Sequence, residues 1–172
     1  RAKIGATVSQ LADLKKHGKE VILVTSGAIR AGMESLGLRE RPRTIPEQQA
    51  AAAIGQSALM RTYTDLFAEF GIVLGQVLLT RDDFHDRVRY LNARNTLHTL
   101  LRFGCIPVVN ENDTVATDEI KFGENDTLSA LVAACADADL LVNLSDVDGL
   151  FDGDPRSDDQ CKLIPEVKKI TP

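Results

Sequence analysis

Two short loops concentrate the groups of this chain that could do chemistry. Asn110-Glu111-Asn112-Asp113 directly follows the apolar run Ile106 to Val109, and Gly123-Glu124-Asn125-Asp126 stands just before a helix-like run. Carboxylates and amides where strands end and helices start usually handle a ligand, because no core could satisfy so many polar groups. Asn110, Asn112 and Asp113 offer donors and acceptors suited to a polar substrate carrying an ammonium group. The alternative is an Asx-turn network that merely braces the loop. Asn125 and Asp126 stand where a helix should begin, so either would serve as its N-cap. Asp126 could instead orient cationic side chains around a transferring phosphoryl group, and the two readings are compatible.

Ser26-Gly27-Ala28 is a third place of this kind, joining a strand directly to a helix. Gly27 lets a ligand approach the backbone, and the free amides of a helix start favour a carboxylate or phosphate. A plain Ser N-cap beside a Gly explains the tripeptide as well. Thr80-Arg81-Asp82-Asp83 and Ser145-Asp146 end two further strands. Arg81, Arg87, Arg89 and Arg94 lie among Asp82, Asp83 and Asp86 and read as a solvated or subunit-facing salt-bridge surface, with a phosphate site as the minority option. The chain has no GxxxxGK[ST], and no GxGxxG follows a strand, so a P-loop is excluded and the usual dinucleotide fingerprint is missing. His85 and His98 fit no Ser/His/Asp arrangement. Cys105, Cys135 and Cys161 form no CxxC and no zinc spacing, so they read as reduced and structural.

The elements that must position these residues alternate. Ile4, Val8, Leu11 and Ala12 recur at helical spacing and Gly18 closes that segment. Val21 to Val24 predicts a buried strand, followed by a helix through Leu36. A long helix is expected from Pro46 to Phe70, with Met60, Tyr63, Phe67 and Phe70 on one stripe and an exposed Ala50 to Ala53 able to pack against a second copy. Ile72 to Leu79 predicts a second strand, Leu91 to Leu101 a helix and Ile106 to Val109 a third strand. Leu128, Leu131, Val132 and Cys135 place a helix from about Asn125, and Leu140 to Leu144 predicts a fourth strand. Glu119 to Phe122 could form a small hairpin arm, and 152–161 reads as an exposed loop. Apolar strands alternating with helices imply a parallel sheet covered on both faces.

Composition sets the outer bounds. The 172 residues suffice for one domain, and 44% hydrophobic with 26% charged residues is ordinary for a globular chain. A net charge of −5 gives no support to nucleic-acid binding. No apolar run approaches the roughly 20 residues that cross a membrane, and no secretory pattern opens the chain, so the cytoplasm is the expected compartment.

The ordered motifs together resemble the glutamate 5-kinases of the amino acid kinase family. They are Val24-Thr25-Ser26-Gly27-Ala28-Ile29, Gly55-Gln56, Leu79-Thr80-Arg81, Leu91-Asn92-Ala93-Arg94, Asn110-Glu111-Asn112-Asp113 and Gly123-Glu124-Asn125-Asp126-Thr127-Leu128-Ser129-Ala130. Leu144-Ser145-Asp146-Val147-Asp148-Gly149-Leu150-Phe151, with Asp154-Pro155-Arg156 after it, completes the set.

The resemblance implies a three-layer αβα sandwich on a mainly parallel sheet, of the carbamate kinase-like type, occupying 1–172. It implies phosphorylation of the γ-carboxylate of L-glutamate by MgATP, the first step of proline synthesis, with proline as feedback inhibitor and a homodimer or homotetramer as the assembly. Ser26, Asp113 and Asn125 would hold glutamate, with Gly27, Ala28 and Asn110 nearby. Ser145 and Asp146 would contact ATP, with Phe151 and Asp154 as weaker candidates. Asp126 would organise catalytic lysines and not act as a base, since a γ-carboxylate is already ionised near neutral pH. The family's glycine-rich turn with a catalytic Lys would precede Arg1, and its second Lys segment would follow Pro172. The domain is therefore expected to be incomplete at both ends, and the chain by itself inactive. Acetylglutamate, aspartate or nucleoside monophosphate kinases of the same family are the near alternatives; a non-catalytic glutamate- or proline-binding module is the distant one.

Overall fold

The structure, a computed structural model, describes residues 2–116, 125–145, 147–158 and 160–168. The expected hairpin arm, Gly123, Glu124 and Asp146 lie outside the described residues. The chain falls into two compact units, 1–141 and 142–172.

The first unit runs α1 (Ala2–Lys16), β1 (Leu23–Val24), α2 (Ala28–Leu36), α3 (Ile45–Ala68), β2 (Leu74–Leu79), α4 (Arg81–His85), α5 (Arg87–Arg102), β3 (Ile106–Glu111) and α6 (Asn125–Cys135). The three strands are parallel in the order β1-β3-β2, with Val24 opposite Val109 and Val77 opposite Val109 across the two ladders. β3 is central and its first five residues are buried, which is why it is apolar without alternation.

Period-two geometry assigns the faces of this strand. Ile106 and Val108 join Val8 of α1 and Leu59, Tyr63 and Phe67 of α3 in one core. Val109 joins Val77, Leu79, Leu97 of α5 and Leu128 and Val132 of α6 in the other. Helices therefore cover both faces of the sheet, as expected of an αβα arrangement.

Helix α3 carries the closest packing. Thr44 and Glu47 form a capping box at its start, with Pro46 in the first turn. Gly32 of α2 and Gly55 of α3 let the two backbones touch: a Cβ on Gly55 would stand 1.8 Å from the Ala28 carbonyl oxygen. Ala51 and Ala52 are buried, and a Cβ on Gly32 would meet the Ala51 carbonyl. This corrects the expectation of an exposed Ala50 to Ala53 stripe, because helix α2 already occupies half of it. Phe70, expected on the buried stripe, is 49% exposed, since the helix ends before it.

A second correction concerns Leu140 to Leu144. These residues form no strand. Leu140 and Leu144 are each 77% exposed. Apolar composition signals a tendency to be buried, but a strand also needs a neighbour for its amides and carbonyls. Among the described residues no strand pairs with this run. A third correction is α4, absent from the sequence reading, which forms where Thr80 donates through N and Oγ1 to Asp83 Oδ2 at 2.7 and 2.9 Å.

In the second unit, Phe151 and Leu163 form an antiparallel bridge. Ile164 N donates to Leu150 O at 2.7 Å, and Lys162 N to Asp152 Oδ1 at 2.7 Å.

Candidate functional site

The carboxyl ends of β1 and β3 and the start of α6 converge on a cavity of about 450 Å³. Its lining includes Ser26, Gly27, Ala28, Asn110, Asp113 and Asn125. Three loops separated by long stretches of chain thus meet, which is what a parallel sheet does at its carboxyl edge.

The β1 end supplies a helix start that no side chain caps. The N-cap of α2 is Gly27, not Ser26, at φ +94°, and no side chain caps it. A left-handed φ favours glycine there. The leading amides of this nine-residue helix therefore keep their hydrogen-bonding capacity and the positive end of the helix dipole for a ligand. The plain Ser N-cap reading is thereby excluded.

The β3 end supplies a carboxylate. Asn112 braces the turn: its carbonyl accepts from Val115 N and Ala116 N, and its Oδ1 accepts from Thr114 Oγ1 at 2.6 Å. Asp113 does something else. Its carboxylate has no hydrogen bond or ion pair among the described residues, and burial pushes its pKa up to about 6. An unpaired, desolvated carboxylate at the wall of a cavity is a place for a cation.

Asn110 and Asn125 are tied to the scaffold. Asn110 is only 2% exposed; its Nδ2 donates to Gln56 Oε1 at 2.8 Å. Asn125 Nδ2 donates both to the Thr25 carbonyl at 2.5 Å and to Asn110 Oδ1 at 3.1 Å. Asn125 lies in the first turn of α6 and spends its amide across the chain, so its side chain does not act as a cap.

Asp126 also lies in that first turn, is exposed, and is outside the cavity lining. Its carbonyl accepts from Ser129 Oγ at 2.7 Å. In the second unit, Ser145 Oγ accepts from Val147 N at 3.3 Å, Phe151 is half-buried in its bridge, and Asp154 Oδ1 accepts from Arg156 N at 3.0 Å. These three are described within their own unit only.

The cavity wall also contains residues to which the sequence reading assigned no individual role: Ile29 and Glu111, quoted only within motifs, and Arg30, Met33 and Arg41. Helical period from Ala28 accounts for Ile29 and Met33. Arg30 pairs with Glu34 at 3.5 Å, whereas Arg41 makes no ion pair among the described residues. Nothing in the sequence around Arg41 marks it. The arginine-rich segment after β2 is a salt-bridge surface, with Arg89 at 3.2 Å from Asp83 and Arg94 at 2.5 Å from Asp137. Among the described residues no cluster of three His, Cys, Asp or Glu side chains could hold a metal.

Residues 1–170 match the profile of the amino acid kinase family. The chain is 55% identical over 168 residues to a glutamate 5-kinase of Geobacter sulfurreducens, covering 98% of this chain and 45% of that protein. It is 56% identical over 165 residues to the glutamate 5-kinase of Moorella thermoacetica (96% and 44%) and 54% identical over 170 residues to glutamate 5-kinase 2 of Bacillus subtilis (99% and 46%). The chain thus spans less than half the length of these curated relatives.

Proposed function

Since the chain belongs to the amino acid kinase family, we propose that its cavity is the amino-acid site of a glutamate 5-kinase. The observation that carries this reading is the pairing, in one cavity, of an uncapped helix start with a half-buried carboxylate at Asp113 that has no partner among the described residues. L-Glutamate needs both: a donor array for a carboxylate and a counter-charge for its ammonium. Acetylglutamate has no ammonium, and burying Asp113 against it would cost desolvation without compensation.

In the proposed reaction a γ-carboxylate oxygen attacks the γ-phosphorus of ATP, the bond to the bridging oxygen breaks, and ADP leaves, giving glutamyl 5-phosphate. Such a transfer needs positioning and charge neutralisation more than covalent chemistry. Ser26, Gly27, Ala28, Asn110, Asp113 and Asn125 would bind and orient glutamate. Asp126, beside them in sequence, would organise cationic groups. Ser145, Asp146, Phe151 and Asp154 would serve ATP, a role supported by the family resemblance alone. Mg²⁺ on the nucleotide phosphates would offset their charge.

The same reading makes the chain part of one kinase domain spanning 1–172, in a cytoplasmic homodimer or homotetramer of proline biosynthesis with proline as inhibitor. No described helix is long and apolar enough to cross a membrane. The test is ADP release by the full-length protein offered L-glutamate, acetylglutamate, aspartate or a nucleoside monophosphate. Turnover with glutamate alone supports the proposal; turnover with another acceptor reassigns it within the family. Glutamate binding without ADP release would indicate a binding module.

A further inference from the structure

A closed ring of buried polar groups begins and ends on α3. Gln56 accepts from Asn110, Asn110 accepts from Asn125, and Asn125 donates to the Thr25 carbonyl. Thr25 Oγ1 lies 2.9 Å from Tyr63 OH, back on α3. Gln56 and Tyr63 are seven residues apart and share a face of the helix. Gln56, Tyr63, Thr25 and Asn110 are all buried.

The direction of the ring is fixed at one point. The Thr25 carbonyl can only accept, so the Asn125 atom facing it is the amide nitrogen. That nitrogen also meets Asn110, which must present its oxygen, and Asn110 is then left to donate to Gln56. The consequence is at the other end of Asn125. Its Oδ1 has no partner among the described residues, and Asn125 lines the cavity.

We propose that Gln56 and Tyr63 are positioning residues, which act through Asn110 and Thr25 to hold Asn125 with its carbonyl oxygen left as an acceptor for the ammonium group of the ligand. This rests on the reading of the cavity as a glutamate site, and neither residue lines the cavity itself. Gln56 adds a second indication. Its Nε2 is buried and meets no acceptor among the described residues, so only its oxygen engages the ring.

That asymmetry defines the test. In the full-length protein, Gln56→Met keeps the shape of the side chain and removes the acceptor, leaving Asn110 with an unsatisfied buried donor. Gln56→Glu keeps an oxygen facing Asn110 and removes no hydrogen bond. Gln56→Met should raise the Kd for L-glutamate about tenfold, with the KM for ATP unchanged within about twofold. Gln56→Glu should recover most of the loss, and Tyr63→Phe should show a smaller rise of about threefold.

The side-chain amide protons of Asn110 and Asn125, followed by NMR without ligand, should exchange slowly in the wild type and quickly in Gln56→Met. If those protons stay protected in Gln56→Met, or if Gln56→Met and Gln56→Glu weaken glutamate equally, the positioning role is overturned. A lowered melting temperature with unchanged glutamate Kd would overturn it too, leaving a purely structural role. Protected amides in a wild-type protein that fails to bind glutamate would instead keep the ring and overturn the assignment of the cavity.

Discussion

Asn125 reaches its carbonyl partner across 100 positions of the chain, and Asn110 reaches Gln56 across 54. In the unit 142–172, Asp154 and Asp158 find their backbone donors two residues away. The two regions solve the same problem, satisfying side-chain oxygens and amides, by opposite routes. Long-range bonds exist only when the sheet and α3 are assembled, so the geometry of the cavity is as secure as the fold around it. Local turns need almost nothing else in place, but they impose little on any ligand beyond the shape of the turn.

The strongest way to break this contrast is through glycine. Gly55→Ala places a methyl group 1.8 Å from the Ala28 carbonyl and 2.3 Å from Gly32 N, both backbone atoms that cannot step aside. α2 would have to move off α3, carrying Gly27 and Ala28 with it. Urea unfolding should show a loss at the top of the roughly 1–3 kcal/mol range for overpacking, or beyond it. In Gly153→Ala the methyl group meets, among the described residues, only Cys161 Sγ, at 2.7 Å, the end of a side chain that can rotate. That change should cost less than about 1 kcal/mol. Equal losses would show that the two regions are braced alike.

Asp113→Asn separates function from stability within the cavity. Losing a charge-assisted contact to the ammonium should raise the KM for glutamate about 10- to 100-fold and leave that for ATP unchanged. The free protein should be no less stable at pH 7, because a desolvated and unpaired carboxylate has gone. An unchanged glutamate KM would remove Asp113 from the proposed role.

The pH dependence sharpens the same point. Burial raises the Asp113 pKa from 3.8 to about 6 in the folded chain. Its contribution to stability is therefore fully present below 3.8 and is lost as pH rises through about 6. Glutamate binding runs the other way, because the ammonium pairs with the ionised form. Affinity should fall as pH drops below about 6, with a proton released on binding there. Calorimetry in two buffers of different ionisation enthalpy would measure that proton, and Asp113→Asn should abolish it.

Much of this could be seen without coordinates. The runs around Val21 to Val24, Ile72 to Leu79 and Ile106 to Val109 carried the parallel sheet, because a strand buried on both faces is apolar throughout. Residues at the ends of β1 and β3 and at the start of α6 carried the cavity, and the six expected there, Ser26, Gly27, Ala28, Asn110, Asp113 and Asn125, do line it. The rest was hidden. The use of Asn125 as a strut depends on Thr25, and no local pattern announces so distant a partner. Gln56 stands in the Gly55-Gln56 motif, but nothing gives it a role until Asn110 is beside it. Leu140 to Leu144 misled for the converse reason, since composition speaks for burial while a strand depends on its neighbour. α4 was missed because five residues, Arg81–His85, are too few to show a period.

The smallest expected effect belongs to Asp154→Ala, and it decides whether the self-contained turns of the second unit do anything for a ligand. Asp154 is exposed; its Oδ1 caps Arg156 N at 3.0 Å and its carbonyl accepts from Ser157 N and Asp158 N at 3.0 Å each. Only the first of these bonds is lost with the side chain, so the fold should lose no more than about 0.5–1 kcal/mol. Glutamate affinity should not change, because Asp154 is no part of the proposed glutamate set. The KM for ATP is the informative quantity. If Asp154 contacts the nucleotide, directly or by shaping the turn for it, that KM should rise by about three- to tenfold, more than so small a loss of stability explains. If it stays at the wild-type value, the Asp154 carboxylate serves its own turn alone. The proposed nucleotide set would then shrink to Ser145, Asp146 and Phe151.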